Sequence, residues 1–215
     1  VITRPPLRHL STVCHIGTLD LADKGPFSWE AQGLSVSIDP TSWEAIAELG
    51  GQPWHLLERR AGAFLDYHRL GPRTRLRVAR WAVARGLLTR VFVHQRTWWD
   101  DELESESGCY HDTRAEAIEE AEETADNESS VRRVVTYPGA PLLAQRAGTR
   151  LPEYEAFDAA LLCYVEDEHP AIDGVWWEDR YLPLSAPRGC ILPRRLAAWT
   201  RREVTREQAS RLLNN

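Results

Sequence analysis

The chain has 215 residues, 43% hydrophobic and 27% charged, a profile that excludes a disordered or fibrous protein. Net charge is -6, no apolar run approaches the roughly 18 residues of a membrane span, and the opening VITRPPLRHL lacks the apolar stretch of a secretory signal. A cytoplasmic protein with no membrane partner is therefore expected.

In chain order, LSTVCHIGTLDL predicts a strand that ends in a turn at Gly17, and GPFSWEAQ a loop. GLSVSIDP alternates with period two. Leu34, Val36 and Ile38 share one face and Ser35 and Ser37 the other, a strand with apolar residues inward and hydroxyls outward. TSWEAIAELGG predicts a helix capped by Thr41 or Ser42 and stopped by Gly50–Gly51. Residues 53–70 carry no clear period. PRTRLRVARWAVARGLL predicts a helix with Leu76, Ala79, Trp81, Val83 and Leu87 on its apolar side.

TRVFVHQRTWW reads as a strand, CYH as a short partner, RAEAIEEAEETA as a charged helix capped by Asp112 or Thr113, and SVRRVVTY as another strand. PGAPLLAQRAGTRLPEYEAF reads as a long connection. AALLCYVED is an apolar run of the length of a buried strand. AIDGVWWED and RGCILP are further strands, and PRRLAAWTRREVTREQASRLL a terminal helical region. The elements make a mixed α+β protein without the regular alternation of a doubly wound sheet.

Charge is uneven. Ten arginines fall within 59–96, among them Arg73, Arg77 and Arg80, and residues 100–128 are acidic. Such a basic segment can face nucleic acid or an acidic protein, or pair with the acidic segment of its own chain. The four cysteines, Cys14, Cys109, Cys163 and Cys190, form no CxxC pair, and no two of the seven histidines stand at ligand spacing, so no metal is expected. The phosphate-loop, dinucleotide, nucleophile-elbow and zinc-protease signatures are missing.

Three segments could carry chemistry. CHIGTLD puts a histidine at a strand end beside a glycine. Trp29 and Glu30 precede the GLSVS strand, whose hydroxyls could line a polar cleft or simply form a wet face. In IDGVWWEDRYLPLSAPRGCILP, Trp176 and Trp177 should point to opposite faces, so that at most one is core and the other stands at the rim beside Glu178 and Asp179.

The order CHIGT, GLSVSIDPTSW, IDGVWWEDRYLPLSAPRGCILPRRL resembles the ADP-ribosyltransferases, in particular the small bacterial and phage-type toxins and effectors, over residues 11–50 and 160–197. The resemblance implies transfer of ADP-ribose from NAD, as substrate, to a macromolecular acceptor, a nucleic acid or a protein, with a cognate antitoxin as a further partner. It places His15, Gly17 and Thr18 at the ribose and nicotinamide end of NAD, with Gly33, Ser35 and Ser37 along the nicotinamide cleft. Trp177 would stack on a ring, and Arg188 would bind the pyrophosphate. A carboxylate must stabilise the oxocarbenium-like centre as nicotinamide leaves. Glu178 is the first choice, then Asp179, with Glu30 as the alternative. The family's glutamate usually heads the last strand, where this chain has APRGCIL and no acid. A chain lacking that acid could instead be an interaction protein, or a nucleic-acid- or protein-binding module that uses Arg73, Arg77 and Arg80. The implied fold is a split β core of short, mainly antiparallel strands with flanking helices. It would form one domain over 1–215, with its core at 11–50 and 131–200 and an insertion or subdomain at about 51–130.

Overall fold

The computed structural model describes residues 4–20, 32–100, 105–123, 129–147, 155–178 and 186–213. The chain falls into two compact units, Val1–Leu88 with Gly139–Asn215, and Thr89–Pro138. Mixed α+β architecture with mainly antiparallel sheets is as expected.

Strand β1 (Leu7–Ile16) is followed by the short β2 (Leu34–Ser37) and helix α1 (Pro40–Ile46). The cap of α1 is Asp39, whose carboxylate accepts from Ser42 N at 3.2 Å, with Pro40 pre-set for the first turn. The helix ends at Ile46, before the glycine pair, and Glu48 takes a positive φ of 53°. The unassigned 53–70 segment holds the longest strand, β3 (Trp54–Asp66). β3 pairs antiparallel with β1 from Leu7↔Leu65 to Ile16↔Trp54, with a bulge near Leu10. Both of its faces are covered at each end while Arg60 and Ala61 are exposed, so no single alternation runs through it.

Helix α2 (Pro72–Ala84) leads into the smaller unit: β4 (Val91–Asp100), β5 (Ser105–His111), α3 (Arg114–Glu123) and β6 (Ser130–Thr136). These strands form an antiparallel sheet in the order β5-β4-β6. The chain returns through α4 (Pro141–Ala147), which replaces part of the expected long connection, and α5 (Ala156–Glu168). The run AALLCYVED is thus helix, not strand. Its alanines and leucines are strong helix formers, and a segment apolar on every side shows no period. Strands β7 (Gly174–Trp177) and β8 (Arg188–Ile191), a 3-10 helix (Pro193–Ala198), β9 (Thr200–Val204) and α6 (Arg206–Leu213) complete the chain. The terminal region is therefore interrupted by a strand, β9, that pairs with Trp54–Glu58 of β3.

Strands β1, β2, β8, β7 and β3 close into a five-stranded barrel, because β1 bonds both β2 and β3. Its interior holds Val13, Leu34, Val36, Leu57, Phe64, Trp176 and Ile191, with Leu196 and Trp199 packed against them. Phe64 meets Trp176 edge-on at 5.7 Å between ring centres, an arrangement aromatic quadrupoles favour.

Outside the barrel, α5 packs against β7 and α2. Its last turn carries Glu166, Asp167 and Glu168, where the helix dipole disfavours negative charge. Arginines offset this: Arg146 binds Asp167 at 2.6 Å and Glu166 at 3.0 Å, Arg85 binds Glu168 at 2.7 Å, and Arg194 donates to the carbonyls of Glu166 and Val165. The hydrogen bond from Arg146 holds the Asp167 carboxyl below its usual range. A depressed carboxyl pKa contributes stability above the unfolded value of about 3.9, and that contribution is lost as pH falls through the lower folded value. Arg146→Ala should therefore flatten the fall in urea midpoint below about pH 4.

No helix among the described residues is long and apolar enough to cross a membrane.

Candidate functional site

At the end of β1, the buried imidazole of His15 lies between two backbone carbonyls, with Nδ1 2.7 Å from Ser35 O and Nε2 2.9 Å from Thr18 O. Carbonyl oxygens only accept, so a neutral ring donates to one of the two and an imidazolium to both. Gly17 makes the turn possible. It takes a φ of +120°, and its N–H donates to Pro53 O at 2.9 Å. Thr18 is exposed, and its hydroxyl accepts from Asp20 N. CHIGT thus latches β1 to β2 and to the turn.

Gly33 lies against Cys190 and Ile191 of β8. The alternation in β2 is as read, but its outward face is not open. Ser37 is buried, donates from Oγ to Pro187 O at 2.5 Å and accepts from Asp39 N. Ser35 is half-buried. In register, Ser37 stands opposite Arg188, and Arg188 opposite Trp177, so these three residues share one rung across β2, β8 and β7.

Both tryptophans are buried, which corrects the expectation that one of them stands at the rim. Trp176 fills the barrel, and Trp177, on the outer face, lies 6.2 Å from the Tyr67 ring. A strand covered on both sides, by barrel contents and by α5, buries both members of an adjacent pair.

Glu178 follows β7 and pairs with Arg8, whose guanidinium also lies 5.3 Å from the Trp176 ring centre. The Trp176 indole N–H points to the same carboxylate oxygen at 3.4 Å. Arg8 and His15 stand seven residues apart on β1, about 23 Å of extended strand, more than an arginine side chain can bridge. His15 and Ser35 are brought together, and so are Ser37, Arg188 and Trp177, whereas Glu178 is held near the start of β1. Asp179 and Glu30 lie outside the described residues.

Sequence reasoning missed Asp173. Fully buried, it pairs with Arg59 and with Arg195 (3.0 Å) and accepts from Ala63 N at 2.7 Å. Its signal was the acid of the Asp173–Gly174 pair, which opens the strand segment AIDGVWWED.

Arg73, Arg77 and Arg80 are all exposed. Spaced i, i+4, i+7, they form one stripe of α2, opposite the buried Val78, Ala79 and Ala82. Leu76, expected on the apolar side, is 38% exposed beside them, and Val78 takes the buried place. None of the three arginines pairs with another described residue. Arg75 and Arg85 differ. Arg75 lies over the Tyr67 ring and bonds Leu70 O, and Arg85 lies over Trp81 and binds Glu168.

Three of the four thiols are held away from the thiolate form. Burial pushes Cys14 up to about 12 and Cys163 up to about 11, and it also raises Cys109. A shallow cavity of about 480 Å³ is lined by Arg85, Leu87, Leu142, Gln145 and Arg146, and both of its arginines are committed to the acids of α5.

No family model, curated protein or solved structure matches the chain.

Proposed function

We propose that this protein is a binding module that recognises an acidic protein surface through the outer face of α2. The observation that carries this reading is the stripe of Arg73, Arg77 and Arg80 with Leu76 among them, exposed and without ion-pair partners among the described residues. Arginine joins charge, planar hydrogen bonding and stacking surface, and is enriched where interfaces concentrate their energy. An exposed leucine among the arginines suits a protein partner better than a phosphate backbone.

The residues suggested for NAD support the same reading. His15 and Ser37 spend their polar atoms on this chain's own backbone, and Trp177 is buried. One observation favours the transferase alternative: Glu178 is an oriented carboxylate at the end of the tryptophan strand.

Calorimetry with NAD separates the two. A binding module should give no heat and no nicotinamide release. Turnover abolished by Glu178→Gln would replace it with the transferase. For the α2 face, the probes are a Glu-rich amphipathic peptide and a single-stranded oligonucleotide. The peptide should bind more tightly, and the triple variant R73E/R77E/R80E should weaken it by about tenfold or more, since each rim charge is worth up to ~1 kcal/mol. Unchanged peptide binding in that variant would overturn the reading, and tighter binding of the oligonucleotide would reassign the partner to nucleic acid.

A further inference from the structure

The smaller unit, Thr89–Pro138, is about 50 residues long, and among its described residues only Val93 and Ala117 are buried apolar side chains. A unit of this size with so little apolar core commonly needs a staple, a disulfide or a metal. Its one described cysteine, Cys109, is free.

Cys109 and His111 stand two apart on β5 and so share one face of the sheet. The chain then turns into α3, which returns Glu120 to that face. Cys109 Sγ lies 3.1 Å from His111 Nε2 and 3.7 Å from Glu120 Oε2, and His111 Nε2 lies 2.9 Å from the same carboxylate oxygen. A nucleophile–histidine–acid relay uses the two ring nitrogens for different partners. Here one nitrogen faces both the thiol and the carboxylate, so three lone-pair donors converge on one point. Zinc bonds of about 2.0 Å to nitrogen, 2.0–2.2 Å to oxygen and 2.3 Å to sulfur at tetrahedral angles put such donors roughly 3.4–3.6 Å apart. The sulfur–oxygen spacing of 3.7 Å fits, whereas the 2.9 and 3.1 Å spacings to Nε2 are hydrogen-bond distances that must open by about 0.4 Å as an ion enters.

Two residues of β4 stand on the same face. Arg96, almost fully buried, lies 3.6 Å from the other carboxylate oxygen, Oε1, an outer contact that leaves Oε2 for the ion. His94 stands directly across from His111 in the β4–β5 register, hence on the same face, and its buried Nδ1 makes no hydrogen bond. Its ring nitrogens lie outside the Cys109–His111–Glu120 cluster, so a fourth position is left to solvent.

We infer that Cys109, His111 and Glu120 form a site for a zinc-class divalent metal ion, tying β5 to α3. One thiolate, one imidazole and one carboxylate suit zinc or cobalt rather than magnesium or calcium. Binding exchanges the thiol proton for a sulfur–metal bond and releases that proton to solvent, with no change of oxidation state. The inference does not depend on the α2 surface.

The test is a cobalt(II) titration of the metal-free 215-residue chain, followed by displacement with zinc. The expected result is one ion per chain, a thiolate-to-cobalt charge-transfer band, and a higher melting temperature with zinc. Cys109→Ser should abolish the band, whereas Cys163→Ser should keep it. His111→Ala and Glu120→Gln should each weaken zinc binding by about tenfold or more. Glu120 is partly exposed, so Glu120→Gln keeps the test open if Cys109→Ser fails to fold. Absence of a stoichiometric band, or binding that survives both Cys109→Ser and Glu120→Gln, would overturn the site.

Discussion

Asp173→Ala is expected to cost about 3–5 kcal/mol, among the largest single losses available to this protein. The carboxylate is fully buried at the entry to β7 and is shared between Arg59 of β3 and Arg195 of the 3-10 helix. It also accepts from Ala63 N, while its own N–H donates to Ala63 O and its carbonyl accepts from Leu192 N. One side chain therefore joins three segments that are far apart in sequence. Its removal strands two partly covered guanidiniums and a backbone donor, and the penalty comes from these widowed groups rather than from the lost attraction. Asp173→Asn should fall between wild type and alanine, since an amide oxygen still serves Ala63 N but carries no charge for the arginines. Urea denaturation measures both. A loss below about 1 kcal/mol for the alanine variant would mean that the arginines find other partners and that the hub is incidental.

Asp173 also marks the limit of what the sequence discloses. A DG pair ahead of an apolar strand says turn, and nothing local says that the aspartate is buried or that its arginines lie 114 and 22 residues away. Where each residue's surroundings are local, the sequence was legible. The alternation of Leu34–Ser37 identifies β2 and its inward face, and the i, i+4, i+7 arginines of α2 lie on the exposed side. Tertiary coverage defeated the same reasoning elsewhere. β3 changes its neighbours along its length, so the period of Trp54–Asp66 is broken, and α5 is buried nearly all round, so Ala159–Val165 gives no amphipathic signal. For the candidate site, His15 is at a strand end beside a turn glycine, as read. Its engagement by Ser35 O depends on a pairing 20 residues away. Cys109 and His111 were visible only as a two-residue spacing on a short strand, and Glu120 joins them only because α3 folds back.

The second large effect tests barrel closure. Trp176→Ala should cost about 3–5 kcal/mol, as expected for truncating a fully buried aromatic side chain. Gly189 lies directly opposite Trp176 in the β7–β8 register, and a Cβ built there would stand 2.5 and 3.0 Å from two ring carbons. Gly189→Ala must therefore push the indole into Phe64 and the rest of a filled interior, an overpacking cost of about 1–3 kcal/mol. The two substitutions should not be additive. Once the indole is gone the added methyl enters vacated space, so W176A/G189A should be more stable than the sum of the single losses predicts, by about 1 kcal/mol or more. The coupling should be incomplete, because the same Cβ also stands 3.2 Å from Val175 O, which no substitution removes. Strict additivity would place the Trp176 ring away from Gly189 and argue for an open cleft. Positive coupling would leave β7 and β8 as the wall of a closed barrel, with recognition left to its outer surfaces.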